Sequence, residues 1–405
     1  MRILHTGDWH LGDWLGRQNR TADLRRSIER IAGYSEDEKI DVLLVAGDLF
    51  SDKCQRQEDL SGTVEHLSRT FGPFLRRGGT ILAVTGNHDK EIPCQTLKHT
   101  LTLASPEPLK AGDLVPPGRL YLANRPTFFR LQDRQKQEVQ FVLLPYPTPG
   151  SYLDDGETVR VTREEKNRFL GTKLVSRLQQ MRESGAYRKD LHTVLVGHIH
   201  VHGANRHTLF QMTEEQDVIL KSGDLSGAFA YVALGHIHKA HALGEEHIRY
   251  CGSIERLNLD EREYSPHAVF FEIGPEGRQG EIRELKLEAT PLYDIVIDNP
   301  AEEIPHLAAR YSDAKTALVK YQLTHDAGQN RNEFLRQLDD IFPRWFERML
   351  IERGAERVAT QHASLPSQTL TPDQTARHFA EKELEASPDR DEVLQLLDEA
   401  LAQVK

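Results

Sequence analysis

Residues 42–48 read VLLVAGD, five apolar residues followed directly by a glycine and an aspartate. A short uninterrupted apolar run is typical of a strand that is buried on both faces of a sheet. In α/β proteins, ligands bind at the carboxyl ends of such strands. The stretch therefore predicts a buried strand over residues 42–46, with Gly47 and Asp48 placed at a binding site.

Four other stretches repeat this pattern of an apolar run followed by polar residues. They end in Asp8-Trp9-His10, Gly86-Asn87-His88-Asp89, Gly197-His198-Ile199-His200 and Gly235-His236-Ile237-His238. Between the runs, helical spacing of apolar residues, as in residues 24–31 and 63–71, predicts that strands alternate with helices. We therefore expect an α/β layered domain in which five motifs converge on one site.

The donor atoms in these motifs predict a metal site. Imidazole, carboxylate and amide oxygen together suit a divalent ion such as Mn²⁺ or Fe²⁺. These donors are too many for one catalytic ion, but they suit two ions that share a bridging carboxylate. Two ions about 3.5–4 Å apart clamp the attacking and leaving oxygens of a displacement at phosphorus. The predicted ligands are Asp8, His10, Asp48, Asn87, His198, His236 and His238.

The order of the motifs, D-x-H, GD, GNHD, GH and GHxH, is similar to that of the calcineurin-like metallophosphoesterases. Within that superfamily, residues 1–12, 45–50, 233–238 and 250–253 resemble the SbcD family of bacterial nuclease subunits. The motifs that carry the resemblance cover about the first 260 residues. The resemblance implies a sandwich of two sheets flanked by helices, with a small α+β cap domain and C-terminal helices.

The resemblance also implies a role for each residue of the site. The ligands divide into those of one Mn²⁺ ion (Asp8, His10 and His238), those of the other (Asn87, His198 and His236), and the bridging Asp48. His88 would contact the scissile phosphate or protonate the leaving oxygen. Asp89 would orient a neighbouring group without binding an ion itself.

The implied activity is Mn²⁺-dependent hydrolysis of DNA, as an endonuclease and a 3'-5' exonuclease, at double-strand ends and hairpins during repair and recombination. The implied partner is the ATPase subunit SbcC, with two nuclease subunits forming a homodimer within a heterotetramer.

Two alternatives stay open: another phosphoesterase, acting on phosphoproteins or cyclic nucleotides, and a scaffold without catalysis. Asp48-Leu49-Phe50 lacks the Asp-Arg-Gly usual in protein phosphatases, and no expected ligand is missing, which disfavours a scaffold.

We divide the chain into four parts. Residues 1–289 are the predicted nuclease domain, and residues 290–355 the cap domain. Residues 356–372, rich in Ser, Thr, Gln and Pro, are a predicted linker. Residues 373–405 read as two short amphipathic helices, which would bind SbcC.

Composition predicts the compartment. A net charge of -11 and a mean hydropathy of -0.55 indicate a soluble protein, and no apolar run reaches the roughly 18 residues of a membrane span. Three scattered cysteines and an N-terminus without signal-peptide features favour the reducing cytoplasm, in association with the nucleoid.

Individual polar residues receive separate predictions. The acidic balance argues against DNA binding by the whole surface, so DNA contacts are expected from a local loop that carries Arg17, Asn19 and Arg20. His5 lies inside the first strand and is expected to be a hydrogen-bonded core residue. His200 is surplus to the ligand set, and we expect it behind a ligand or at the surface.

Overall fold

The computed structural model describes residues 1–54, 57–103, 109–154, 162–204, 217–225 and 229–353, together with Leu394. The chain forms two compact units, Met1–Ile351 and Glu352–Lys405. In the second unit, only Glu352, Arg353 and Leu394 are described. The predicted linker, 356–372, and the predicted SbcC-binding segment, 373–405, therefore lie outside the described residues, apart from Leu394.

The first unit alternates strands with helices. The strands are β1 (Arg2–Thr6), β2 (Trp14–Leu15), β3 (Gln18–Asn19), β4 (Val42–Ala46), β5 (Thr80–Val84), β6 (Leu120–Ala123), β7 (Thr127–Gln132), β8 (Glu138–Leu144), β9 (Thr193–His198), β10 (His200–Val201), β11 (Ile219–Leu220), β12 (Tyr231–Gly235), β13 (His241–Leu243), β14 (Glu245–Tyr250), β15 (His267–Gly274), β16 (Gly277–Lys286), β17 (Leu292–Ile297), β18 (Leu318–Asp326) and β19 (Trp345–Arg353). The helices are α1 (Thr21–Asp37), α2 (Gln57–Arg76), α3 (Glu91–Leu103), α4 (Pro149–Tyr152), α5 (Arg163–Glu183), α6 (Pro300–Arg310) and α7 (Arg331–Ile341). In this part of the chain, none of the helices combines the length and apolar character that a membrane crossing requires.

The first sheet has six strands in the order β16-β15-β1-β4-β5-β6. β1, β4, β5 and β6 run parallel, whereas β15 and β16 pair antiparallel at the other side. Val45 lies beside Thr6 on one neighbouring strand and Ala83 on the other. Because of this register, the residues that follow β1, β4 and β5 emerge at the same end of the sheet.

The second sheet also has six strands, in the order β13-β14-β12-β9-β8-β7. β8, β9, β12 and β14 run parallel, with Gly235 of β12 beside His198 of β9. The two motifs that end in His-x-His therefore leave neighbouring strands at the same level.

The main core lies between the two sheets. Tyr231 of the second sheet stacks on Phe271 of the first, with ring centroids 3.7 Å apart. On the outer face of the first sheet, α1 contributes Leu24, Ile28 and Ile31, which share one side of the helix and are fully buried. α5 covers the second sheet with its own buried leucines. These layers confirm the predicted sandwich of two sheets flanked by helices.

Residues 292–353 form a three-stranded sheet, β17-β18-β19, with α6 and α7. This region has a separate apolar cluster that includes Tyr321, Leu338 and Phe342. Its strands and helices lie where the apolar patterns predict them, while the division into domains stays a prediction. The hairpin β2–β3 contacts this region, because the Gln18 side-chain amide donates to the Trp345 carbonyl at 2.8 Å.

Gly235 is the point where the two sheets approach most tightly near the site. A Cβ atom at this position would lie 1.9 Å from the carbonyl oxygen of Ala46, which belongs to the other sheet. No side chain larger than hydrogen fits without moving β12 away from β4. The glycine of the last motif is therefore required by the packing of the two sheets.

We expect Gly235→Ala to lower the free energy of unfolding by about 1–3 kcal/mol, the usual cost of overpacking a core. Chemical denaturation monitored by circular dichroism would measure it. Gly185→Ala is the matched control, because nothing lies within 4 Å of its added Cβ. Equal stabilities of the two variants would show that the sheets tolerate the extra carbon.

Candidate metal centre

The predicted ligands gather at the end of the sandwich where the parallel strands finish. Ligand atoms of Asp8, His10 and His238 lie within 4.8 Å of one another, and those of Asp8, Asp48 and His198 do the same. Asp8 follows β1 and Asp48 follows β4, while His198 ends β9 of the other sheet. The site is therefore shared between the two sheets.

Asp48 lies between two groups of donors. Its Oδ2 atom is 3.4 Å from Nε2 of His10 and 3.3 Å from Nε2 of His198. On the first side, His10 Nε2 is 3.2 Å from His238 Nε2. A single carboxylate oxygen thus faces both groups, as expected of a residue that bridges two ions.

Asn87 is at the centre of the second group. Its Oδ1 atom lies 3.0 Å from His198 Nε2 and 3.0 Å from His236 Nδ1. The other ring nitrogen of His198, Nδ1, faces the carbonyl oxygen of Ala46 at 2.7 Å. Because a carbonyl only accepts, Nδ1 carries the proton, and Nε2 presents a lone pair to the site.

These contacts place acceptor atoms against one another, which fits a pair of cations. Lone pairs at 3.0–3.4 Å repel unless a proton or a metal ion lies among them. Although burial lowers the pKa of His198, the carboxylates of Asp48 and Asp8 raise it to about 9. A proton then takes the position that a divalent ion would fill. The cluster is therefore a divalent metal site.

Four residues of the site have left-handed backbone conformations. The φ angles are +49° at Asp8, +44° at His10, +49° at Asp48 and +93° at His236. Residues other than glycine rarely adopt this region, and each instance costs about 1–3 kcal/mol. Such strain typically accumulates at functional sites, where it aims side chains at a ligand.

Gly47 is required for a different reason. Its φ is +87°, and an added Cβ would lie 2.2 Å from Nδ1 of His198. The backbone before Asp48 therefore passes directly against a ligand from the other sheet. The backbone N–H of Asp8 also donates to the Gly47 carbonyl at 3.0 Å, which ties the first two motifs together.

Burial sets the charge state of several ligands. It lowers the pKa of His10, and it lowers that of His236 to about 4, which favours the neutral imidazole that binds metal. Burial also raises the pKa of Asp8. In Asp48, burial acts in the same direction, but His198 and His10 outweigh it and lower the pKa.

His88 lies at the open side of the centre. Its side chain is 38% exposed, and its ring centroid is 4.9 Å from that of His10. Its backbone N–H donates to Oδ1 of Asp48 at 2.8 Å. Ligand atoms of His10, Asp48 and His88 lie within 4.8 Å of one another, so His88 is close to the predicted first ion.

Asp89 is buried and accepts three backbone hydrogen bonds. The donors are Gly86 at 2.8 Å, Leu49 at 3.1 Å and Phe50 at 2.9 Å. Its carboxylate thereby joins the loop after β5 to the loop after β4. Burial and the nearby Asp48 raise its pKa to about 7.

Three contacts around the histidines were not predicted from the sequence. Nδ1 of His238 faces Oε1 of Glu261 at 2.8 Å, and Nε2 of His236 faces Oδ2 of Asp217 at 2.7 Å. The hydroxyl of Tyr146 donates to Asp217 at 3.0 Å. Histidines that bind metal commonly donate their second N–H to a carboxylate. That tendency predicts such carboxylates but does not select two among 62 acidic residues.

The two remaining histidines agree with their predictions. His5 is buried in the first sheet, with its ring nitrogens 3.1 Å from the Tyr231 hydroxyl and 3.2 Å from the Leu234 carbonyl. His200 is also buried, and its Nδ1 lies 3.4 Å from Oδ2 of Asp217. It therefore lies behind the ligand His236.

The structure separates the three residues proposed to face DNA. Arg17 and Asn19 are exposed, and the Arg17 guanidinium lies 4.2 Å from the ring centroid of Trp345. Arg20 differs from the prediction, because its side chain is fully buried. It donates to Asp23 at 2.8 Å and to the Arg256 carbonyl at 2.7 Å. No atom of its guanidinium is available to DNA in this structure.

We expect Arg20→Ala to lower the free energy of unfolding by about 3–5 kcal/mol, because the buried carboxylates of Asp23 and Glu255 would lose a cation. Arg17→Ala, at an exposed position, should change it by about 1 kcal/mol or less. Urea denaturation of both variants would measure the difference. Equal, small effects would contradict the structural role of Arg20.

Comparison with known proteins places this centre in a family. Residues 1–240, more than half of the chain, match the sequence profile of the calcineurin-like phosphoesterases. The chain therefore belongs to this family, and it is a metal-dependent phosphoesterase. The Asp and His motifs that form the centre all lie within the matched residues.

Individual relatives are nuclease subunits. The chain is similar to the SbcD subunit of the SbcCD nuclease from Escherichia coli (strain K12), with 25% identity over 292 residues, covering 68% of this chain and 66% of the relative. The SbcD subunit from Rhodobacter capsulatus is 30% identical over 285 residues, covering 66% and 65%. The matched regions thus span just under two thirds of both relatives. The resemblance to the SbcD subunits is confirmed.

Proposed function

We propose that this chain is a Mn²⁺-dependent DNA nuclease that hydrolyses phosphodiesters at double-strand ends and hairpins, with endonuclease and 3'-5' exonuclease activity. The observation that carries the proposal is the position of Asp48. One of its oxygens lies 3.3–3.4 Å from a histidine of each donor group. The similarity to subunits named as nucleases favours DNA over the phosphoproteins or cyclic nucleotides of other family members.

Each residue of the centre has a proposed task. Asp8, His10 and His238 would hold one ion, Asn87, His198 and His236 the other, and Asp48 both. When bound, the ions supply positive charge that stabilises the phosphate oxygens during hydrolysis. Mn²⁺ is proposed because the mixed nitrogen and oxygen donors suit it.

His88 is the proposed catalytic acid. Its half-exposed ring lies beside His10 and opens toward solvent, so a bound phosphodiester can reach it. From there it would hydrogen-bond the scissile phosphate or protonate the leaving oxygen. Asp89 would support it indirectly, by fixing the loop that carries Asn87 and His88.

The proposed assembly follows the names of the relatives. Residues 373–405 would bind the ATPase subunit SbcC, and two chains would associate as a homodimer within a heterotetramer. Arg17 and Asn19, exposed on the hairpin that follows His10, would contact the DNA backbone. The proposed location is the cytoplasm, in association with the nucleoid.

We expect Asp48→Ala to abolish Mn²⁺-dependent cleavage of a DNA hairpin and to release metal, because both ions lose a shared ligand. Gel assays and elemental analysis of the purified chain would measure the two effects. Asp37→Ala, an exposed carboxylate at the end of α1, is the control and should keep both properties. Cleavage that survives Asp48→Ala would overturn the two-metal proposal. A wild-type chain that hydrolyses phosphopeptides or cyclic nucleotides but not DNA would overturn the nuclease proposal.

We expect His88→Ala to reduce kcat by about 10²–10⁴-fold while metal content stays at the wild-type level, as befits a general acid. Steady-state kinetics and metal analysis of the same preparation would test this. His306→Ala, an exposed histidine on α6, should leave both unchanged. Loss of an ion from the His88 variant would instead make His88 a ligand.

A further inference from the structure

The two histidines of the last motif are backed by different carboxylates. His236 directs Nε2 at Asp217, at 2.7 Å, whereas His238 directs Nδ1 at Glu261, at 2.8 Å. Because a carboxylate only accepts hydrogen bonds, the facing ring nitrogen carries the proton in each case. The two histidines therefore hold opposite tautomers, although a single residue separates them.

The opposite tautomers direct the lone pairs to different donor groups. The free nitrogen of His236 is Nδ1, which lies 3.0 Å from Oδ1 of Asn87. The free nitrogen of His238 is Nε2, which lies 3.2 Å from Nε2 of His10. Each carboxylate thus acts on one of the two ion positions and not on the other.

Both carboxylates are themselves held in place. Asp217 is buried and accepts hydrogen bonds from the Tyr146 hydroxyl at 3.0 Å and the Val218 N–H at 2.8 Å, with His200 Nδ1 at 3.4 Å. Burial would raise its pKa, but the hydrogen bonds from His200 and His236 outweigh it and keep the carboxylate ionised. This arrangement also gives the surplus histidine His200 a task.

Glu261 has an independent set of contacts. It lies in a short 3-10 turn, Leu259–Glu261, and is buried. Its Oε2 accepts from the Leu257 N–H at 2.8 Å, and its Oε1 accepts from the Asn258 amide at 2.6 Å. Asp217 and Glu261 therefore belong to separate segments, and a change in one does not remove a contact of the other.

We infer that Asp217 and Glu261 are positioning residues that set the affinities of the two metal positions separately, Asp217 through His236 and Glu261 through His238. The inference rests on the two-metal centre of the proposed function. Removal of a carboxylate that backs a metal-bound histidine weakens metal binding by about 10- to 100-fold. Here each removal should weaken one ion and spare the other.

The test is Mn²⁺ titration of the full-length chain after chelation, by calorimetry and electron paramagnetic resonance. The wild type should bind two equivalents and give the spectrum of an exchange-coupled pair. Asp217→Asn and Glu261→Gln should each keep one tight ion, weaken the other about 10- to 100-fold, and give the spectrum of isolated Mn²⁺ at low metal concentration. The retained tight ion also shows that the variant is folded.

A combination of variants identifies the ion that is lost. Added to Asn87→Ala, which removes a ligand of the second position, Asp217→Asn should cause no further loss. Added to His10→Ala, it should weaken the ion that remains. Two matched controls, Asp224→Asn in the segment of Asp217 and Glu263→Gln, whose side chain is 86% exposed, should behave as the wild type.

Two results would overturn the inference alone: a variant that binds both ions as tightly as the wild type, or one in which both ions weaken equally. A wild-type chain that binds no pair of ions would overturn the proposed function, and this inference with it. The two failures are distinguishable because the first appears only in the variants.

Discussion

The centre depends on a carboxylate of one sheet that is held between histidines contributed by both. Asp48 follows β4 of the first sheet, and its Oδ2 atom lies near His10 of the same sheet and His198 of the other. Since the two sheets otherwise meet through apolar side chains, this polar contact fixes their relative position at one end. The close packing of Gly235 against Ala46 allows the approach.

Strain and hydrogen bonding complement each other at this end of the molecule. The left-handed backbones at Asp8, His10 and Asp48 are unfavourable, yet the backbone N–H groups of Asp8 and His10 donate to the Gly47 and Asp48 carbonyls. Asp89 adds three further hydrogen bonds beneath the same loops. A rigid scaffold of this kind keeps ligands in place before a cation arrives, so that little ordering remains to be done on binding.

Much of the fold could be predicted from the sequence because its strands are unusually plain. Val42–Ala46 is apolar throughout and is fully buried in the structure, so its pattern has no competing interpretation. The convergence of the motifs followed from the rule that parallel strands end on one side. The separate apolar cluster of residues 292–353 also matches the alternating pattern from which its strands and helices were predicted.

The errors and omissions concern contacts between distant segments. A sequence shows that Arg20 is charged, but not that Asp23 and Glu255 enclose it, and so an interior ion pair was taken for a surface residue. Asp217 and Glu261 were missed for the same reason, because their function depends on the ring nitrogen that they face in the folded chain.

The hairpin β2–β3 has a mechanical consequence. It begins four residues after His10, and it fits so closely under β19 that a Cβ on Gly16 would lie 2.2 Å from the Phe346 carbonyl. Gln18 and Arg17 grip Trp345 from the same hairpin. Any displacement of the three-stranded region must therefore push on a short, stiff lever whose other end is a metal ligand, so that a load applied there is felt at the centre.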